Sequence, residues 1–330
     1  MSKALPWTTI CLAAVCWLSS GCDRPPAAPR VSEPGTTNVL TVAPDDAAEV
    51  KAVMAMETAR VNYRHRLEVL EGHFLRVGDA DKLNWTRQEL KGLAQAQTFQ
   101  WDGLPEILPP EKGENVEQAD ERILVEWVAA ARKTYVSAVS DLAALYERQG
   151  RTVRANIIRS IEKRFDAVRT YLYFLDAEIP GPDLRPVEVK PEAEELFDRA
   201  YKLFIDGKGI LHTSVSTDYN KERQALMLFR EMIAKYPRST RIALAAYYIA
   251  DIYKEYFNED VRAVKWYERA WQWDPNLTEP ARFQAATVYD YRLKNCEKAV
   301  ECYEAAIQHE QFNQSNVRFA QRRIQELTGQ

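Results

Sequence analysis

From residue 44 to the C-terminus, apolar side chains recur at steps of three and four, interrupted by polar and proline-containing stretches at only a few joints. That step is the helical period, so the pattern predicts helix after helix rather than strands. The clearest case is Tyr63, Leu67, Leu70 and Phe74, an apolar stripe that runs into Gly78. Glycine in that place suits a left-handed helix stop, because it carries no Cβ to clash. The same order of positions returns 72 residues later. Tyr63, Leu67, Leu70, Phe74 and Gly78 correspond to Tyr135, Val139, Leu142, Tyr146 and Gly150, while Leu93, Phe99 and Trp101 correspond to Phe165, Tyr171 and Tyr173. Residues 44–175 therefore read as a tandem duplication of one unit, a long helix, a glycine turn and a returning helix. Residues 102–115, with Pro105, Pro109 and Pro110, join the two copies.

Residues 176–190 break the pattern with Pro180, Gly181, Pro182 and Pro186 and mark a linker between two parts. Beyond it the helical stripe resumes at Ala193, Leu196, Phe197, Ala200 and Leu203. A second repeat then appears: Ala225, Phe229, Met232 and Pro237 return as Ala263, Tyr267, Ala270 and Pro275, and again as Ala299, Tyr303 and Ala306. Offsets of 38 and 36 positions hold two helices per unit, and the leading helices carry matching Ala246, Ala250 and Tyr253, then Arg282, Ala286 and Tyr289. The connection from Asp206 to Asn220 exceeds those of the later units, as either a functional loop or a tolerated surface insertion. Ser315 to Leu327 reads as a terminal helix that covers the open end of the array.

Small residues and a tyrosine on the first helix, then Ala, an aromatic, Ala and Pro on the second, resemble the tetratricopeptide repeat. Residues 229–239 followed by 246–253 are similar to a narrower group, the bacterial envelope tetratricopeptide lipoproteins and periplasmic proteins of the Tol-Pal and outer-membrane β-barrel assembly systems. The resemblance covers residues 191–330. With the duplicated hairpins it implies an all-α protein, tandem hairpins followed by a TPR-like α-solenoid with a capping helix. It also implies that the first helices line a concave groove. The groove slots are then Leu244, Tyr247, Asp251, Lys254 and Glu255, followed by Phe283, Thr287, Asp290 and Tyr291.

At the N-terminus, Lys3 precedes an apolar run from Leu5 to Leu18, then Ser19, Ser20, Gly21 and Cys22. That is a secretory signal too short to span a bilayer, and small residues before a cysteine resemble the bacterial lipoprotein cleavage box. Residues 1–22 are expected to leave Cys22 as a lipidated N-terminus facing the periplasm at the inner or outer membrane; ordinary cleavage and an uncleaved anchor are the alternatives. Residues 23–43, with four prolines and no apolar period, form the expected extended tether.

The chemistry-bearing residues are sparse. The net charge of -4 gives no basic patch for nucleic acid, and four dispersed histidines, His65, His73, His212 and His309, form no metal pair. There is no phosphate loop, nucleophile elbow or Cys-His pairing. Cys296 and Cys302 point to different sides of a helix and read as packing residues. The expectation is thus a non-catalytic adaptor without metal or cofactor, tethered to the membrane by lipid, that binds a segment of another envelope protein in its groove. A periplasmic binding protein for a small molecule or cell-wall fragment is the alternative.

Overall fold

In a computed structural model, residues 38–107, 119–166, 168–208 and 217–329 are described. The signal stretch, Cys22, most of the tether and the middle of the two long connections, 108–118 and 209–216, lie outside them. The described chain is mostly helical. None of its helices is long and apolar enough to cross a membrane.

The first hairpin consists of α1 (Ala47–Val77) and α2 (Ala80–Ala96). Asp46 caps the start of α1 by accepting from the Glu49 N–H at 3.0 Å, and Gly78 ends it at φ 77°. The second hairpin is α3 (Glu121–Arg148) and α4 (Thr152–Glu162), turned at Gly150 with φ 71°. α1 and α3 pack along one another, so equivalent residues of the two copies meet. Tyr63 and Tyr135 have ring centroids 6.1 Å apart, and both rings pack on Phe165.

Two buried carboxylates bind the hairpins together. Glu49 accepts from Tyr146 and Arg151, each at 2.7 Å, and from Arg154. Burial alone would raise its pKa, but these donors hold it below the ordinary value. Glu89 accepts from Tyr63 and, at 3.1 Å, from Arg132, whose guanidinium also donates to the Asp166 carbonyl.

After α2 the two copies diverge. Phe99–Asp102 is not part of a returning helix but a strand, β2, paired with β1 (Asn38–Thr41). Phe99 is buried, Gln100 exposed and Trp101 half-buried, a period of two that suits a strand once a partner is at hand. That partner comes from the end of the expected tether. Residues 39–43 are accordingly part of the folded body: Val42 is buried and its N–H donates to the Asp102 carbonyl at 3.0 Å. In the second copy the equivalent segment is a 3₁₀ turn, Leu172–Phe174, and a four-residue helix, α5 (Leu175–Glu178). The described residues are consistent with the expected all-α class, and this two-stranded ribbon is a local exception to the helical pattern.

Among the described residues seven helices follow: α6 (Pro191–Gly207), α7 (Tyr219–Lys235), α8 (Ile242–Ile252), α9 (Asp260–Trp273), α10 (Ala281–Tyr291), α11 (Cys296–His309) and α12 (Gln314–Thr328). From α6 to α12 each helix packs on the next in sequence. A π-helical turn, Tyr253–Phe257, prolongs α8 until Asn258 stops it in the left-handed region. The alanines at the repeat positions, Ala225, Ala246, Ala250, Ala263, Ala286 and Ala299, are all fully buried where helices come close.

The proline-rich segment ahead of α6 is stitched down rather than free. Val187 and Glu188 donate to the Arg238 carbonyl, Thr240 donates to that of Glu188, and Trp273 Nε1 donates to Gly181 at 2.9 Å. The described residues from Val39 onward form one compact unit. At the join between its two apolar clusters, Arg262 is 1% exposed and donates to the Thr170 carbonyl at 2.8 Å, the Thr170 hydroxyl, the Tyr171 carbonyl, Glu259 and Glu178. Nearby, Arg223 pairs with Asp166, which lies among the hydrogen-bonded residues that follow α4.

Candidate functional site

α6 buries Ala193, Phe197, Ala200, Phe204 and Gly207, a stripe stepping by four and three. Tyr201 sits beside that stripe, 37% exposed, stacked on Phe197 with centroids 6.2 Å apart. From α8, half-buried Tyr248 enters the same space, its ring 5.0 Å from Tyr201 and 5.2 Å from Phe204. Tyr247 follows at 5.5 Å from Tyr248 and 5.6 Å from Tyr267. Tyr267 donates its hydroxyl to Asp251.

Charge is concentrated around these rings. Lys208, just past α6, holds its ammonium 3.8 Å from the Phe204 ring centroid. Glu222, one turn into α7, has no exposed surface, and neither carboxylate oxygen has a hydrogen-bond partner. It presses on Gly207 so closely that a Cβ there would lie 2.5 Å from Oε1. Burial pushes the Glu222 carboxyl up to about 8, with Lys208 opposing the shift and Asp218 adding to it. Asp251 is pushed up to about 6, again first by burial, against the Tyr267 hydrogen bond and the charges of Lys254 and Lys208. Burial also raises Glu279, and Lys208 partly offsets it.

The groove residues expected from the repeat pattern divide into two sets. Tyr247 is 5% exposed and Asp290 3%. Asp290 is held by both Nε and Nη2 of Arg323 on α12, at 2.7 and 2.8 Å, and by the Tyr303 hydroxyl. Phe283 packs on Tyr303 and Phe319, and Leu244 packs against the apolar core. These four serve the fold, and α12 occupies the surface that Phe283 and Asp290 were expected to offer. Thr287 turns its hydroxyl back to the Gln284 carbonyl at 2.8 Å. Lys254 bonds Gln284 at 2.7 Å and Glu255 at 2.9 Å. Glu255 and Tyr291 are exposed, and Arg323 lies over the Tyr291 ring at 5.1 Å.

Lys208, Glu222, Tyr248 and Glu279 belong to this face without having been singled out in the sequence. Glu222 stands four residues after the Asp218 cap and looks like an ordinary acid at a helix start. Only the long connection beginning at Asp206 hints that something differs there.

Chemically the face combines aromatic rings with a buried carboxyl that has no hydrogen-bond partner. Among the described residues no group of three potential ligands could hold a metal ion. Burial pushes the Cys302 thiol up to about 12, which removes it as a nucleophile at neutral pH. A separate open cleft of about 370 Å³ in the first part is lined by Glu57, Arg60, Arg64, Gln97 and Trp101, where Glu57 already accepts from Arg60 and Trp101. No protein-family model, curated protein or solved structure matches the chain.

Proposed function

We propose that the protein is a non-catalytic adaptor of the bacterial cell envelope, lipid-anchored through Cys22, whose α6–α12 array is a TPR-like solenoid that holds a segment of another envelope protein. The observation that carries this reading is the set of rings on α6, α8 and α10: exposed Tyr201 lies 5.0 Å from half-buried Tyr248 and Tyr291 is exposed on α10, while on α7 the buried Glu222 carboxyl has no hydrogen-bond partner. Aromatic rings next to polar groups are the usual anchors of protein interfaces. Helix-on-helix packing in strict sequence order from α6 to α12 supports the solenoid, and the repeat positions of the sequence support the family resemblance. A scaffold of this kind presents a rigid face at small entropic cost.

Tyr201 and Tyr291 are the rings best placed for contact, because both are exposed and neither closes the core. A Tyr201→Ala, Tyr291→Ala variant should fold like the wild type yet bind its envelope partner about tenfold more weakly, or about 1.4 kcal/mol. Co-purification from the native envelope and a titration with the recovered partner measure this. Unchanged affinity in the folded variant would place the binding surface elsewhere. Cys22→Ala should release the protein from membranes; retention with an unmodified N-terminus would reject the anchor.

A further inference from the structure

The open cleft of the first part, about 370 Å³, has the size of a small-molecule site, for which roughly 300 to 1,000 Å³ is usual. One wall is α1, which places Arg60 and Arg64 one helical turn apart. The other is β2 and the residues after it, with Trp101, Leu104 and Ile107. Glu57 ties the two walls together. Its side chain is 7% exposed, and its two oxygens accept separately, one from Arg60 Nε at 2.8 Å and the other from Trp101 Nε1 at 3.1 Å. The guanidinium and the indole are thereby held in place before any ligand arrives.

The internal duplication shows what Arg60 lacks. At the offset of 72 its counterpart in the second copy is Arg132. Arg132 donates Nε to Glu89 at 3.1 Å and Nη2 to the Asp166 carbonyl at 2.9 Å, so both ends of its guanidinium are used. Arg60 donates Nε to Glu57, but among the described residues its Nη groups meet no acceptor, and the side chain is 24% exposed. Arg64 is 48% exposed and lies 3.6 Å from exposed Glu68, a surface pair that a better acceptor displaces at little cost. Guanidinium forks match the two oxygens of a carboxylate. Glu57 and Glu68 already balance the two arginines, so one added negative charge suits the cleft better than the two of a phosphate. Trp101, Leu104 and Ile107 offer apolar surface to the rest of the ligand.

We propose that this cleft binds a small carboxylate with an apolar or ring-shaped body, its carboxylate on Arg60 and Arg64 and its body against Trp101. A free small acid and the C-terminal residue of a peptide share that chemistry. The site is separate from the α6–α12 array and does not depend on what the array holds.

The test titrates phenylacetate and its neutral analogue phenylacetamide into the full-length protein by NMR or calorimetry. Phenylacetate should bind with a dissociation constant of about 1 mM, and phenylacetamide about tenfold more weakly. Arg60→Lys, which keeps the charge but loses the fork, should weaken phenylacetate about fivefold, and Arg64→Gln about threefold. Arg122→Gln removes an equal charge from an exposed position on α3 outside the cleft and should leave binding within about twofold. Thermal midpoints are measured alongside; Arg64 is a surface residue, so its variant remains decisive should Arg60→Lys fail to fold. Acetyl-Gly-Phe with a free C-terminus separates the two sources: tighter binding than phenylacetate assigns the site to a peptide end, weaker binding to a free small acid. Equal affinity for phenylacetate and phenylacetamide, binding of neither at about 10 mM, or unchanged affinity in Arg64→Gln would overturn the proposal.

Discussion

Arg262→Met should lower the unfolding free energy by about 3 to 5 kcal/mol, the range for removing one member of a buried, hydrogen-bonded ion pair. The guanidinium is 1% exposed and spends its donors on Thr170, Tyr171, Glu178 and Glu259. Glu178 is itself 9% exposed, so deleting the arginine leaves a carboxylate and two carbonyls short of donors in a nearly dry site. Met replaces the stem as far as the position of Nε but not the guanidinium head, so the loss combines the broken hydrogen bonds with the space that head filled. Urea unfolding followed by circular dichroism measures it, and hydrogen exchange should locate the first loss of protection at residues 168–178. A change below about 1 kcal/mol would show that this network is solvated in solution.

The second large effect concerns Glu222 and depends on pH. Its carboxyl is raised in the folded state to about 8 from an ordinary 4.5, chiefly by burial. An acid so shifted binds its proton more tightly in the folded chain. Its contribution is therefore fully kept below pH 4.5 and lost progressively as pH rises to about 8. The charged groups facing it are Lys208 after α6, Asp218 at the cap of α7 and, beyond α8, Tyr256, whose own hydroxyl is raised. Wild type should lose roughly 3 to 5 kcal/mol relative to Glu222→Gln between pH 4.5 and pH 9. Urea midpoints for the two proteins should nearly coincide at pH 4.5 and separate at pH 9, with the Gln variant the more stable. Parallel pH profiles would mean that Glu222 has a partner or water in solution.

The legible and illegible parts of this chain differ in physical origin. Helical stripes such as Tyr63, Leu67, Leu70 and Phe74 were readable because burial on one face imposes a local period. Gly78 and Gly150 were readable because the left-handed region favours glycine, and both lie there at φ 77° and 71°. The β1–β2 ribbon was not, since a four-residue strand exists only when a distant segment supplies its ladder, and residues 38–41 looked like tether. Groove positions were read from repeat slots that say which face a residue occupies, not what covers it. Thus Asp290 and Phe283 fell on the right helix but meet Arg323 and Phe319 of α12. Lys208 and Glu222 escaped notice because their meaning lies in a contact between the end of α6 and the start of α7, across the long connection.

The central claim, that the α6–α8–α10 face holds a segment of another envelope protein, is tested most directly by cross-linking in the native envelope. A photoreactive phenylalanine analogue would replace Tyr201 or Tyr291 on this face, or Met227, which is 40% exposed on α7. The account predicts adducts from Tyr201 and Tyr291 to one and the same envelope protein, with the sites of attachment falling within one short segment, and none of that adduct from Met227. Equal adducts from all three positions, or none from Tyr201 and Tyr291, would contradict it.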